Sequence, residues 1–196
     1  MPKIVDVFQK KTEIMHQAAL VFAEKGYYDA TLLDVAHRCG MGRTTLYQYF
    51  ANKEELFTFV LDHVLQGLLA DMQFSSDADV DAYKKLQLVF WRLGQRFHED
   101  KHLLMVVTEA KPLVRHGNED IWQRILAFRR SATEILTRLL TEGMDTGQFV
   151  AVDSQSMAAT LYLLLESLVV HLAVTEESAL ASHLANLDFF LNSLRR

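Results

Sequence analysis

The chain has 196 residues, half of them hydrophobic, with 8 Gly and only 2 Pro. So few breakers among so many helix formers predict a nearly all-α protein of one or two domains. The net charge of −5 arises entirely beyond residue 60, because residues 1–60 hold seven Lys/Arg against seven Asp/Glu. A polyanion partner would therefore be met by the N-terminal part, with no basic field to hold it non-specifically. Cys39 is the one cysteine, which excludes an intramolecular disulfide and suits a reducing cytosol. The stretch MPKIVDVFQKK lacks an apolar signal core, so a cytoplasmic protein is expected.

The first predicted helix runs from about Lys10 to Lys25, with Ile14, Ala18, Val21 and Phe22 as its apolar stripe and Gly26 as its stop. Thr31 caps the second, and Asp34 stands near the capping-box position. Leu32, Val35, Ala36 and Cys39 make its inner face, and Gly40 supplies a tight turn. The third helix is expected over Arg43–Phe50, with Leu46 and Phe50 inward, and Asn52 with Glu55 opens a fourth that reaches about Met72. A fifth is expected over about Val80–Phe97, and a sixth from His102 to about Lys111, ended by Pro112. Asn118 caps a long seventh that ends near Asp145; an eighth covers Ser154–Val174, and Thr175 caps a ninth, Glu176–Leu194. Residues 1–51 then form a three-helix head, and residues 52–196 a larger helical body.

The third helix has almost nothing to bury on its outer face. Arg43 suits a bidentate pair with guanine and Gln48 one with adenine; Thr44 and Thr45 suit a thymine methyl or a phosphate. Tyr47 can bond a phosphate oxygen or stack on the sugar–phosphate edge, and Tyr49 flanks it. Thr31 and Lys53 stand where the second and fourth helices begin, near backbone amides suited to an anion. This is the pattern of a helix entering the major groove.

The run FAEKGYYDATLLDVAHRCGMGRTTLYQYFANKEEL, from Phe22 to Leu56, resembles the N-terminal domain of the TetR family of transcriptional regulators. The matching positions are Phe22, Gly26–Tyr27, Thr31, Val35–Ala36, Gly40, Leu46–Tyr47, Tyr49–Phe50 and Lys53–Leu56. Gly42 departs from the pattern: the family often has Ser there, and glycine can cap a helix but brings no hydroxyl. The resemblance implies a helix-turn-helix DNA-binding domain followed by a helical ligand-binding and dimerisation domain. It implies a homodimer through helices eight and nine, a palindromic double-stranded operator, and a repressor released by a small-molecule effector. No cofactor, metal or membrane partner is implied. The longest apolar run, Met157–Val174, carries Glu166 near its centre, which argues against a membrane span.

For the effector, the expected lining is Trp91, Met105, Trp122, Leu126 and Tyr162, with Phe97 and Phe128 nearby and Glu109 and Glu166 as polar anchors. Such a cavity suits a hydrophobic or amphipathic molecule. Two other readings compete. His98–His102 reads H-E-D-K-H, the zinc-hydrolase spacing, but that chemistry needs both imidazoles on one continuous helix, and a charged corner is expected here. A helical module that contacts protein instead of DNA is the other.

Overall fold

The computed structural model describes residues 7–174 and 180–196, and among these it holds nine α-helices and no strand. They are α1 (Val7–Asp29), α2 (Leu32–Arg38), α3 (Arg43–Tyr47), α4 (Lys53–Ser76), α5 (Ala82–Glu99), α6 (Lys101–Arg115), α7 (Glu119–Asp145), α8 (Ser154–Val174) and α9 (Leu180–Asn192). The all-α class is as expected. Thr175, the expected cap of α9, lies outside the described residues.

Packing gathers the helices into two units: one runs to Val64 and includes Lys101–Ile121, the other comprises Leu65–Asp100 with Trp122–Arg196. The first half of α4 and the whole of α6 therefore belong with the head helices, and α6 packs along α1. A boundary drawn at Ala51 does not anticipate that placement.

The core of the first unit is built from Ile14, Ala18, Val21, Phe22, Val35, Ala36, Leu46, Phe50, Leu56 and Phe57, all buried. Phe22 and Phe57 meet edge to face at 5.1 Å between centroids, a favoured aromatic geometry. Helix α1 is longer than expected and is interrupted at Gly26, whose φ of 72° and ψ of 167° are not helical. After it comes a single turn, closed by the Ala30 N–H donating to the Gly26 carbonyl at 3.3 Å. Helix α2 ends on Gly40 (φ 63°), and the Met41 N–H donates back to the Ala36 carbonyl at 2.9 Å. That closure needs the left-handed backbone that glycine adopts at little cost.

Pro112 was expected to end α6 but lies inside it. A proline removes one backbone donor and crowds one carbonyl; buried Ala110 and Leu113 on either side hold the helix on its packing surface regardless. The helix stops later, where Asn118 donates its N–H to the Leu113 carbonyl at 3.1 Å. Helix α3 stops at Tyr47 rather than Phe50, and the next residues tighten into turns: Tyr49 N–H bonds the Leu46 carbonyl at 3.0 Å.

In the second unit, α5 packs on α8 and α9, around Leu86, Val89, Phe90, Leu136, Leu139, Leu140, Leu161 and Tyr162. Phe149, from the α7–α8 connection, is inserted over Gly143 so closely that a Cβ there would lie 2.0 Å from its ring. An isolated antiparallel bridge pairs Phe149 with Arg195. Helix α8 buries Ala158, Leu161, Tyr162 and Leu165 and exposes Leu163, Leu164 and Val170. Its Ser154–Leu172 portion is long and apolar enough to cross a membrane, by length and composition alone.

Candidate DNA-binding site

Helix α3 is fixed by one buried side chain, Leu46, and turns the rest outward. Gly42, Arg43, Thr44, Thr45, Tyr47 and Gln48 are exposed, and Tyr49 is half-buried. Gly42 is the N-cap, in extended backbone with no side-chain cap bond. The Arg43 guanidinium lies 5.3 Å from the Tyr47 ring centroid and donates to the Tyr47 hydroxyl at 3.3 Å, so the two side chains project together.

Beside this face runs a groove of about 480 Å³, lined by Thr31, Leu33, Arg43, Tyr47, Asn52 and Lys53 among others. It joins the starts of α2 and α4 to the recognition helix. Two of these residues are more constrained than the sequence suggests. The Thr31 hydroxyl accepts the Asp34 N–H at 3.2 Å and the Thr31 N–H donates to Asp34 Oδ2 at 2.9 Å, closing a capping box, and the hydroxyl also donates to Asp34 Oδ2 at 2.7 Å. Lys53 Nζ donates to the Tyr27 carbonyl at 2.6 Å and the Tyr28 carbonyl at 2.9 Å, leaving one N–H for another acceptor. Burial pushes the Lys53 ammonium below its ordinary pKa, against the opposing pull of Asp29. Leu33 and Asn52 were missed as groove residues; Leu33 falls outside the stripe of Leu32, Val35 and Ala36, and that was the available signal.

The remaining cations among the described head residues are occupied. Ion pairs join Lys10 to Glu13, Lys11 to Glu55, Lys25 to Asp34 and Arg38 to Glu24. The Lys25 bond, then the Thr31 bonds, hold the Asp34 carboxyl down at about 2. Among the described residues up to Val60, Arg43 is the cation with neither a carboxylate nor a carbonyl partner.

Residues 14–59 match the family model for bacterial regulatory proteins of the tetR family. Over those residues the chain is similar to the TetR-family regulators. Over 139 residues, 71% of this chain and 70% of the relative, it is 28% identical to the fatty acid metabolism regulator protein of Bacillus subtilis (strain 168). Over 143 residues, 73% of this chain and 70% of the relative, it is 25% identical to the HTH-type transcriptional repressor KstR2 of Mycobacterium tuberculosis (strain ATCC 25618 / H37Rv). The crystal structure of the transcriptional regulator FadR from Bacillus subtilis in complex with stearoyl-CoA shares the fold. Its TM-score is 0.79 at 22% identity, over 94% of this chain and 99% of that one.

The expected effector residues are divided between the two units. Met105 and Glu109 ride on α6, in the unit of the head. Glu109 is not an open anchor: its Oε2 accepts the Tyr27 N–H at 2.8 Å. Trp91 is 52% exposed and lines a groove of about 130 Å³ between α5 and α9 with Phe90, Leu184 and Leu187. Trp122 is exposed and Leu126 half-buried on α7. Tyr162 and Glu166 do come together, one turn apart on α8. Burial first, and the Glu166 charge second, push the Tyr162 phenol up to about 12, against the Arg129 guanidinium 5.7 Å from its ring centroid. Phe128 joins this cluster at 6.4 Å from Tyr162 between centroids.

The H-E-D-K-H string straddles a break. Helix α5 ends at Glu99, Asp100 takes φ −127° and ψ 85°, and α6 begins at Lys101. His98 and His102 therefore stand on different helices, and the continuous helical face that the zinc chemistry needs is absent.

Proposed function

We propose that this chain is a cytoplasmic, non-catalytic repressor of the TetR family that binds a two-fold-symmetric DNA operator as a homodimer and leaves it when a small hydrophobic or amphipathic effector binds. The observation that carries the DNA reading is the exposed row of Arg43, Thr44, Thr45, Tyr47 and Gln48 on a helix anchored only by Leu46. Arg43, held over Tyr47, is the specific base reader, and the groove ending at Lys53 takes the adjacent phosphates. The homodimer reading rests on the exposed apolar residues of the last two helices, Leu163, Leu164, Val170 and Phe189. A soluble chain does not leave such a row to water without a partner, and a two-fold partner implies paired half-sites. The repressor and effector parts draw on the relatives, among them a repressor and a regulator of fatty acid metabolism.

Selection of duplexes from a random pool tests this. The wild-type protein should enrich a palindromic sequence, and Arg43→Ala should lose about 1–3 kcal/mol at one base position per half-site. A protein that enriches no duplex, or an Arg43→Ala variant with unaltered specificity, overturns the DNA reading. For the effector, stearoyl-CoA is the first probe: release of the selected duplex by it supports an acyl-bearing ligand. Saturating binding without release removes the proposed coupling.

A further inference from the structure

The turn Tyr27–Ala30, between the break in α1 and the start of α2, is held at both ends by other helices. At its front, Glu109 Oε2 on α6 accepts the Tyr27 N–H at 2.8 Å. At its back, Lys53 Nζ on α4 donates to the carbonyls of Tyr27 and Tyr28 and lies 4.6 Å from the Tyr27 ring centroid. A carboxylate on the amide end and an ammonium on the carbonyl end both suit the polarity of a helical turn. Gly26 permits this through its backbone: its φ of 72° turns the chain in a conformation that strains any other residue, while a Cβ there would only touch Glu109 Oε2, at 3.4 Å. Thr31, one residue past the turn, and Lys53 both line the groove beside the recognition helix. Two further ties bind the end of α6 and the residues after it to the same corner. The Tyr28 hydroxyl and His116 Nδ1 are 3.2 Å apart, and the Asn118 amide donates to Glu54.

We infer that Glu109 is a positioning residue for DNA binding, a carboxylate that touches no DNA but fixes the turn from which Lys53 and Thr31 are aimed at the backbone. This rests on the DNA reading above. Losing its bond frees the Tyr27 amide, lets the turn relax and leaves Lys53 without a fixed pair of carbonyls. The phosphate grip weakens while the bases read by α3 stay the same.

The probe is the duplex that the wild-type protein enriches. Glu109→Ala should bind it about tenfold more weakly, as loss of a charge-assisted hydrogen bond does. It should also reduce the salt slope by about two units, the loss of one phosphate contact in each half-site. Glu109→Gln keeps an oxygen that can accept the Tyr27 N–H and should restore most of both. Gly26→Ala, with Glu109 in place, should reproduce the weakened binding. Exchange of the Tyr27 amide should be slow in the wild type and the Gln variant and fast in the Ala variant. If Glu109→Ala does not fold, Glu109→Asp, one methylene short of the amide, is measured in the same two ways. Wild-type affinity and salt slope in the Ala variant overturn the inference while leaving the DNA reading intact. So does an affinity loss that only tracks a lower folded fraction, with the slope unaltered. A wild-type protein that enriches no duplex overturns both.

Discussion

At the scale of residues, the sharpest chemistry sits in side chains that bond the head to itself. Asp34 titrates at about 2 instead of its ordinary 3.8, because Lys25 and Thr31 bond its charged form. Its folded pKa is depressed, so the stabilisation it gives is complete above about pH 4 and is lost as pH falls through about 2. A carboxyl NMR titration should find that midpoint, and Lys25→Ala, which removes the largest cause, should move it back toward the ordinary value. Gly42 is the complementary case of a bond not made. A side chain there would meet nothing nearer than Thr45 Oγ1 at 4.0 Å, and the backbone is already extended as a cap requires. Gly42→Ser should therefore raise stability by a few tenths of a kcal/mol, about the difference between these two caps, measured as the midpoint of urea unfolding.

At the scale of elements, helix starts and stops were the most legible part of the sequence, because caps and glycines act locally. Thr31 with Asp34, Asn118 and Gly40 all perform as read: Asn118 Oδ1 accepts the Ile121 N–H at 3.0 Å, for example. The corner at His98–His102 was legible for the same reason, from its run of charges. Pro112 was misread because its local cost is set against packing that spacing does not reveal. Glu109 was misread more seriously. A carboxylate in an apolar run looks like a ligand anchor until the helix it rides on is known to lie along α1. The close seat of Phe149 on Gly143 was equally hidden, being a contact between a helix and the connection after it. Gly143→Ala should be strongly destabilising, since a Cβ would overlap the Phe149 ring. Phe149→Ala should cost about 3–5 kcal/mol through the cavity it leaves. Thermal unfolding of the two variants checks both.

At the scale of the whole molecule, the exposed leucines of α8 set the expected assembly. Leu163 is 54% exposed and Phe189 on α9 is 79% exposed. Leu163→Glu should shift the proposed dimer to monomer in analytical ultracentrifugation and weaken operator binding with it, since each half-site would then be held alone. A wild-type monomer that partitions into lipid vesicles would instead point those leucines at a bilayer. The self-paired cations of the head have a consequence for life in a cell. Among its described residues, four basic side chains already hold carboxylates, so counterion release on contact with arbitrary DNA is left to Arg43 and the remaining N–H of Lys53. The rest of the chromosome is then a poor sink, fewer molecules are sequestered away from their target, and a modest copy number suffices to keep one operator occupied.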